Sequence, residues 1–215
     1  MKNWILTAAA AAATTALVSG CATPPAPQEV DRVAAAAIKA SFRDQGIATV
    51  DRLQQDLSQQ ACSSDKPPGD AVAERIMQQA RATVKWPAGG QYIGDWKAGE
   101  KLAQDGGGMT WRERSTDTAQ NGGSCYNCHQ LSKEELSYGT IGPSLYNYGK
   151  NRGVRDVMAP TAQPIIEYTW MKLYNSKTYS ACSHMPRFGH AKVLDDTQLS
   201  HIMALLLDPN SPINK

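Results

Sequence analysis

The chain has 215 residues and carries 22 Lys and Arg against 20 Asp and Glu, a formal net charge of +2. That length is enough for one ordinary domain and an extension, and so even a balance gives no sign of a nucleic-acid partner. No internal apolar stretch approaches the length of a membrane helix.

The first residues, MKNWILTAAAAAATTALVSGC, open with Lys2, run on apolar and Ala-rich, and end at Cys21. The apolar part is too short and too weakly hydrophobic to span a bilayer, so residues 1–20 read as a secretory signal. Val18-Ser19-Gly20-Cys21 puts small residues before a cysteine, as the lipobox of bacterial lipoproteins does, although Val18 stands where Leu is commoner. Cys21 is then the expected lipidated N-terminus. Ordinary signal-peptidase cleavage nearby is the alternative. Residues 21–28, with Pro24, Pro25 and Pro27, read as a stiff tether of polyproline type. The expected location is the periplasm, with a membrane reached only through the lipid anchor.

Glu29 to Asp44 carries Val30, Val33, Ala34, Ala37, Ile38 and Phe42 at helical spacing, with Gly46 as a stop. Thr49 to Gln60 repeats the pattern with Val50, Leu53 and Leu57. Asp70 to Val84 repeats it again with Val72, Ile76 and Ala80, ending before Trp86-Pro87. Residues 29–88 thus read as an α-helical N-terminal extension, each segment polar on one side. Residues 90–215 form the second part. Its first helix starts after Asp95, a plausible N-cap, and runs from Trp96 to Ala103. A glycine-rich loop with Trp111 follows. Ile165 to Tyr179 predicts a helix with a broad apolar face. Thr197 to Leu207, capped by Asp195 or Asp196, predicts a last helix with Leu199, Ile202, Met203 and Leu206 in one stripe and Asp208-Pro209 as its end. No strand signal stands out, so the expected class is all-α.

The loop between the first two helices of this part contains GGSCYNCHQL, Gly122 to Leu131. Paired cysteines at this spacing serve redox dithiols, zinc sites or covalent haem. Zinc needs four ligands, usually from two knuckles, and no second Cys-x-x-Cys exists here. A thioredoxin-type dithiol sits between a strand and a helix, and no apolar strand run precedes this one. Two thiols at this spacing can each bond one vinyl group of a haem, and a histidine directly after the second lies under the iron. Cys125, Cys128 and His129 therefore read as the attachment site of one covalent haem c, with His129 as an axial ligand. Export agrees with this, since bacterial c-type haem is attached outside the cytoplasmic membrane.

Five cysteines are present. With Cys21 at the anchor and two on haem, Cys62 and Cys182 remain. An exported protein rarely keeps two idle thiols, so a Cys62–Cys182 disulfide is the economical reading. A thiol kept for a partner chain, or Cys182 acting near the haem, are the alternatives.

The second axial position sets the redox potential, and a thioether raises it by favouring the ferrous state. Met77 lies in the extension. Met171 and Met203 fall on apolar helix faces, and Met109 is too near the attachment site to reach round. Met158 and Met185 lie in loops. Pro186 and Gly189 let the chain leave helical geometry at Met185, which is the expected ligand. His184 beside it is the competing donor.

Helix, haem motif, loop, helix, methionine loop and terminal helix is the order of a class I cytochrome c domain, in which the first and last helices cross. CHQLSKEELSYGTIGPSLYNYG, Cys128 to Gly149, and SHMPRFGH, Ser183 to His190, resemble SoxX, the monohaem cytochrome subunit of the SoxAX complex of bacterial thiosulfate oxidation. The Gly142-Pro143 pair matches the Gly-Pro of the wider cytochrome c family. That resemblance implies that Pro143 backs the haem and that its carbonyl receives the Nδ1 proton of His129. It implies a SoxA-type cytochrome subunit as partner, a carrier protein of SoxYZ type whose cysteine receives thiosulfate, and a downstream soluble cytochrome. Catalysis would belong to the SoxA side. A single six-coordinate haem has no open position for substrate, so this chain is expected to relay electrons rather than to catalyse. A free-standing lipid-anchored carrier feeding an oxidase is the alternative, and a haem-based sensor or structural module a third.

Overall fold

The computed structural model describes residues 26–135 and 137–215. Cys21 and the rest of the leader lie outside these residues. The chain divides into two units at Arg43 and Asp44. In the first, α1 spans Pro27–Ser41, with Pro27 at its first position and an Arg32–Glu29 ion pair one turn apart. It buries none of its residues.

The regular elements described in the second unit are helices and 3-10 turns, and no strand longer than an isolated bridge occurs among the described residues. The all-α class expected from the sequence is what the structure shows. The helix expected over Thr49 to Gln60 is two pieces, a 3-10 turn at Val50–Leu53 and α2 at Leu57–Cys62. Asp56 causes the break. Its extended backbone and its side chain, which accepts from Gln59 N–H, start a new helix there, and the Gln59 side chain returns the bond to Asp56 N–H. Next come α3 (Asp70–Ala82), α4 (Trp96–Gln104), α5 (Tyr148–Asn151), α6 (Gln163–Tyr174) and α7 (Asp196–Leu207). The helix expected to reach Tyr179 stops at Tyr174, because Asn175 is extended and its side chain caps a 3-10 turn over Ser176–Thr178.

Asp195 is the N-cap of α7 and forms a reciprocal box with Gln198. The expected one-sided stripe on α7 is wider than its sequence pattern suggested. From Gln198 to Leu207 every residue except the half-buried His201 is buried. The helix is covered by α4 on one flank and by α5 and α6 on others, which is how a helix apolar on most sides is stabilised. Burying Leu199, Ile202, Leu205 and Leu206 contributes on the order of 1.5–3 kcal/mol each against full exposure.

The crossing of α4 and α7 turns on Gly99. A Cβ there would lie 2.1 Å from His201 O and 3.1 Å from Leu205 Cβ, so only hydrogen lets the backbones meet. Gly94 N–H donates to Ser200 O at 2.9 Å, and Asp95 N–H to His201 Nδ1 at 2.9 Å. Trp170, fully buried on α6, donates through Nε1 to Lys85 O at 2.8 Å and meets Tyr92 edge-on at 5.7 Å. Arg81 Nε donates to Thr178 O at 3.0 Å. Residues 70–93 are thus packed against α6 and the turn that follows it. Cys62 and Cys182 are joined by a disulfide, with Cα atoms 5.4 Å apart.

Candidate functional site

Ser124 adopts a left-handed conformation, φ 50°, and turns the chain into a 3-10 turn at Cys125–Asn127. Cys128 N–H and His129 N–H both donate to Cys125 O, at 3.1 and 2.9 Å. This winds Cys125, Cys128 and His129 onto one short turn. Gly142 N–H donates to Cys128 O at 2.8 Å, which folds the later Gly-Pro segment over the motif. A Cβ on Gly142 would lie 2.1 Å from His129 Cε1 and 2.4 Å from Nδ1. The imidazole therefore rests on bare backbone.

His129 Nδ1 is 2.7 Å from Pro143 O. A carbonyl only accepts, so the proton sits on Nδ1 and the Nε2 lone pair is left for another partner. That is the arrangement expected of an imidazole held for a metal.

These residues line a cavity of about 480 Å³. Its wall is largely apolar, with Ala103, Leu131, Leu145, Leu173, Phe188, Ile202, Leu205 and Leu206. Both motif cysteines, His129 and Met185 are part of the same wall. Burial pushes the Cys125 thiol up to about 12, so it is neutral at ordinary pH. Cys125 and Cys128 are not disulfide-bonded. The lining cations are Arg152 and Lys172. Arg152 stacks 3.6 Å from the centre of the Tyr148 ring, and Tyr148 Oη shares a 3.0 Å bond with Thr169. Lys172 Nζ donates to Ser176 O at 3.2 Å, and burial lowers its pKa. Neither cation was singled out in the sequence. Arg152 directly follows α5 and Lys172 lies on α6, ordinary places for a charge, and only the fold brings them to a cavity.

Of the loop methionines, Met185 lines the cavity and packs half-buried on the core. Its carbonyl accepts from Ser176 Oγ at 2.5 Å and its N–H donates to Ser183 Oγ at 3.3 Å. Met158 is 82% exposed and is not part of that wall. Met203 is buried in the core, and Met171 receives the Tyr179 hydroxyl. His184 also borders the cavity. Arg187 Nη1 is bound to Asp56 Oδ2 at 2.7 Å.

The residues present suit a covalently held haem. Two thiols, an imidazole of fixed tautomer and a thioether share one apolar cavity within the size range of organic-ligand pockets. Arg152 and Lys172, on the same wall, could meet the carboxylates that such a group would carry.

No family model matches the sequence. A protein of Aquifex aeolicus (strain VF5), described as an uncharacterized lipoprotein, is 37% identical over 168 residues, which cover 75% of this chain and 73% of that protein.

Proposed function

This chain belongs to the same family as that Aquifex aeolicus lipoprotein, and we propose that it is an exported, lipid-anchored cytochrome c that relays electrons. The relative's description as a lipoprotein supports the anchor at Cys21, and no helix among the described residues is long and apolar enough to cross a membrane. The observation that carries the electron-transfer reading is His129. Its Nδ1 is committed to Pro143 O, its ring rests on Gly142, and it shares one apolar cavity with Cys125, Cys128 and Met185. A bound haem c would supply a one-electron couple there. Cys125 and Cys128 would hold it through thioether bonds, His129 and Met185 would ligate the iron, and Arg152 and Lys172 would meet its carboxylates. The class I cytochrome c fold belongs to the same proposal, supported by the α4–α7 crossing beside the cavity.

Within this reading the chain is the electron-accepting, non-catalytic subunit of a SoxAX-type complex. What supports it is the resemblance of residues 128–149 and 183–190 to SoxX. Joining thiosulfate oxidatively to a carrier cysteine releases two electrons, and a single haem held by this chain would take one at a time. The chain alone should therefore have no thiosulfate-conjugating activity and should gain it with a SoxA-type partner. The assay is thiosulfate-dependent modification of a SoxYZ-type carrier cysteine, with and without that partner. Full activity from the isolated chain would overturn the relay assignment. A free-standing carrier feeding an oxidase is the second reading, favoured by the relative's lipoprotein description. It is the one to keep if the chain purifies without a second cytochrome and reduces an oxidase directly.

A further inference from the structure

The helix α2 grips the chain on both sides of Met185. Its last residue, Cys62, is bonded to Cys182, three positions before the methionine. Its N-cap, Asp56, accepts from Arg187 Nη1 at 2.7 Å, two positions after it. The two carboxylate oxygens of Asp56 divide the work. Oδ1 accepts from Gln59 N–H at 2.8 Å and from Ser58 Oγ at 2.7 Å, which fixes the start of α2. Oδ2 is left for Arg187. Two anchor points are thus set at the ends of one short rigid element, and Met185 lies between the residues they hold. Further hydrogen bonds to this loop come from the turn just before it. Ser176 Oγ donates to Met185 O, and Lys177 Nζ donates to Ala181 O and Ser183 O at 3.1 and 3.4 Å. Met185 and Phe188 also pack on the apolar core, but among the described residues the covalent bond and the ion pair that tie this loop to a distant part of the sequence both come from α2.

We propose that α2 is a clamp that holds Met185 at the cavity, with Asp56 and Cys62 as positioning residues for the thioether. The proposal rests on the reading of Met185 as an iron ligand. A thioether is a weak donor, so a methionine loop exchanges between a state with sulfur at the iron and a state with sulfur away. An added ligand binds only the second state, and its apparent affinity scales with that state's population. Tethers on both flanks remove most of the conformations the loop would gain on leaving. The clamp therefore acts on the detached state, and loosening it raises that state's share.

The test uses the full-length, exported, haem-bearing protein and imidazole as the competing ligand. Cys62→Ser with Cys182→Ser removes one anchor. Asp56→Asn removes the other and keeps an equally good helix cap. Imidazole affinity of the ferric protein is measured by titration, and amide hydrogen exchange is followed over residues 181–188. The double serine variant should bind imidazole about tenfold more tightly or better, and Asp56→Asn several-fold more tightly, following the detached population. Both should speed exchange over 181–188. Should the serine variant fail to fold, Asp56→Asn carries the test alone. Unchanged imidazole affinity and unchanged exchange in protein that retains its haem would overturn the clamp and leave the electron-transfer reading standing. Haem that leaves the polypeptide on acid-acetone extraction would overturn that reading, and the clamp with it.

Discussion

Gly142 has no space for a side chain, because any Cβ would enter the His129 ring. Gly142→Ala should therefore move the imidazole and break its bond to Pro143 O. In haem-bearing protein the expected result is loss of the low-spin ferric spectrum, while the two thioether bonds survive and the haem stays on the polypeptide. Met185→Ala should abolish the weak near-infrared sulfur-to-iron band, and Met158→Ala should leave it intact, since Met158 is exposed and away from the cavity. The reverse outcome would assign the ligand to Met158. Asp56 carries a pH prediction. Its burial alone would raise its pKa, but hydrogen bonds from Ser58, from Gln59 N–H and from Arg187, with the Arg187 charge, bring it down from 3.8 to about 2. A depressed carboxyl pKa contributes stability that is present above the unfolded value and is lost as pH falls through the folded one. The gap in melting temperature between wild type and Asp56→Asn should thus be full at neutral pH, shrink below about pH 4 and close only below pH 2, as followed by thermal melts across that range.

Among the elements, the α4–α7 crossing is closely packed at Gly99. Gly99→Val would drive two methyl groups toward His201 O and Leu205 Cβ. Overpacking a core usually costs about 1–3 kcal/mol, and a backbone oxygen cannot rotate away, so the upper end is expected from denaturant unfolding. The cap of α7 is a second handle. Asp195 accepts from Gln198 N–H at 2.8 Å and from Thr118 Oγ1 at 2.7 Å, so it ties the last helix to the loop before the motif. Asp195→Ala should cost about 1 kcal/mol for the cap, again read by denaturant unfolding.

On the scale of the whole molecule, the Cys62–Cys182 bond closes a loop of sequence separation 120 within the second unit. In the chain-entropy account such a loop is worth roughly 4–5 kcal/mol, and losses on removing a native bond typically run about 2–5 kcal/mol. The paired serine variant should unfold at correspondingly lower denaturant, with the α-helical circular dichroism of the folded state retained. The amino-acid sequence by itself determined the local features. Cys125, Cys128 and His129 are adjacent in the chain, so their turn needs only a 3-10 winding. The ends of α4 and α7 are set by Asp95 and Asp195, whose side chains bond their own helix starts. Cysteine arithmetic left Cys62 and Cys182 together, because few alternatives remained. What only the tertiary structure decided is what depends on distant partners. The break at Asp56 competes with an apolar spacing that continues through it, and the bond to Arg187 spans 131 positions. Arg152 and Lys172 carry no signal in sequence, since charges on a helix are ordinarily solvated; they line the cavity because α5 and α6 pack on α7. The burial of α7 on nearly every side has the same origin. A periodic pattern records the face each residue turns from its own helix axis, and burial is settled by how many other helices arrive to cover it.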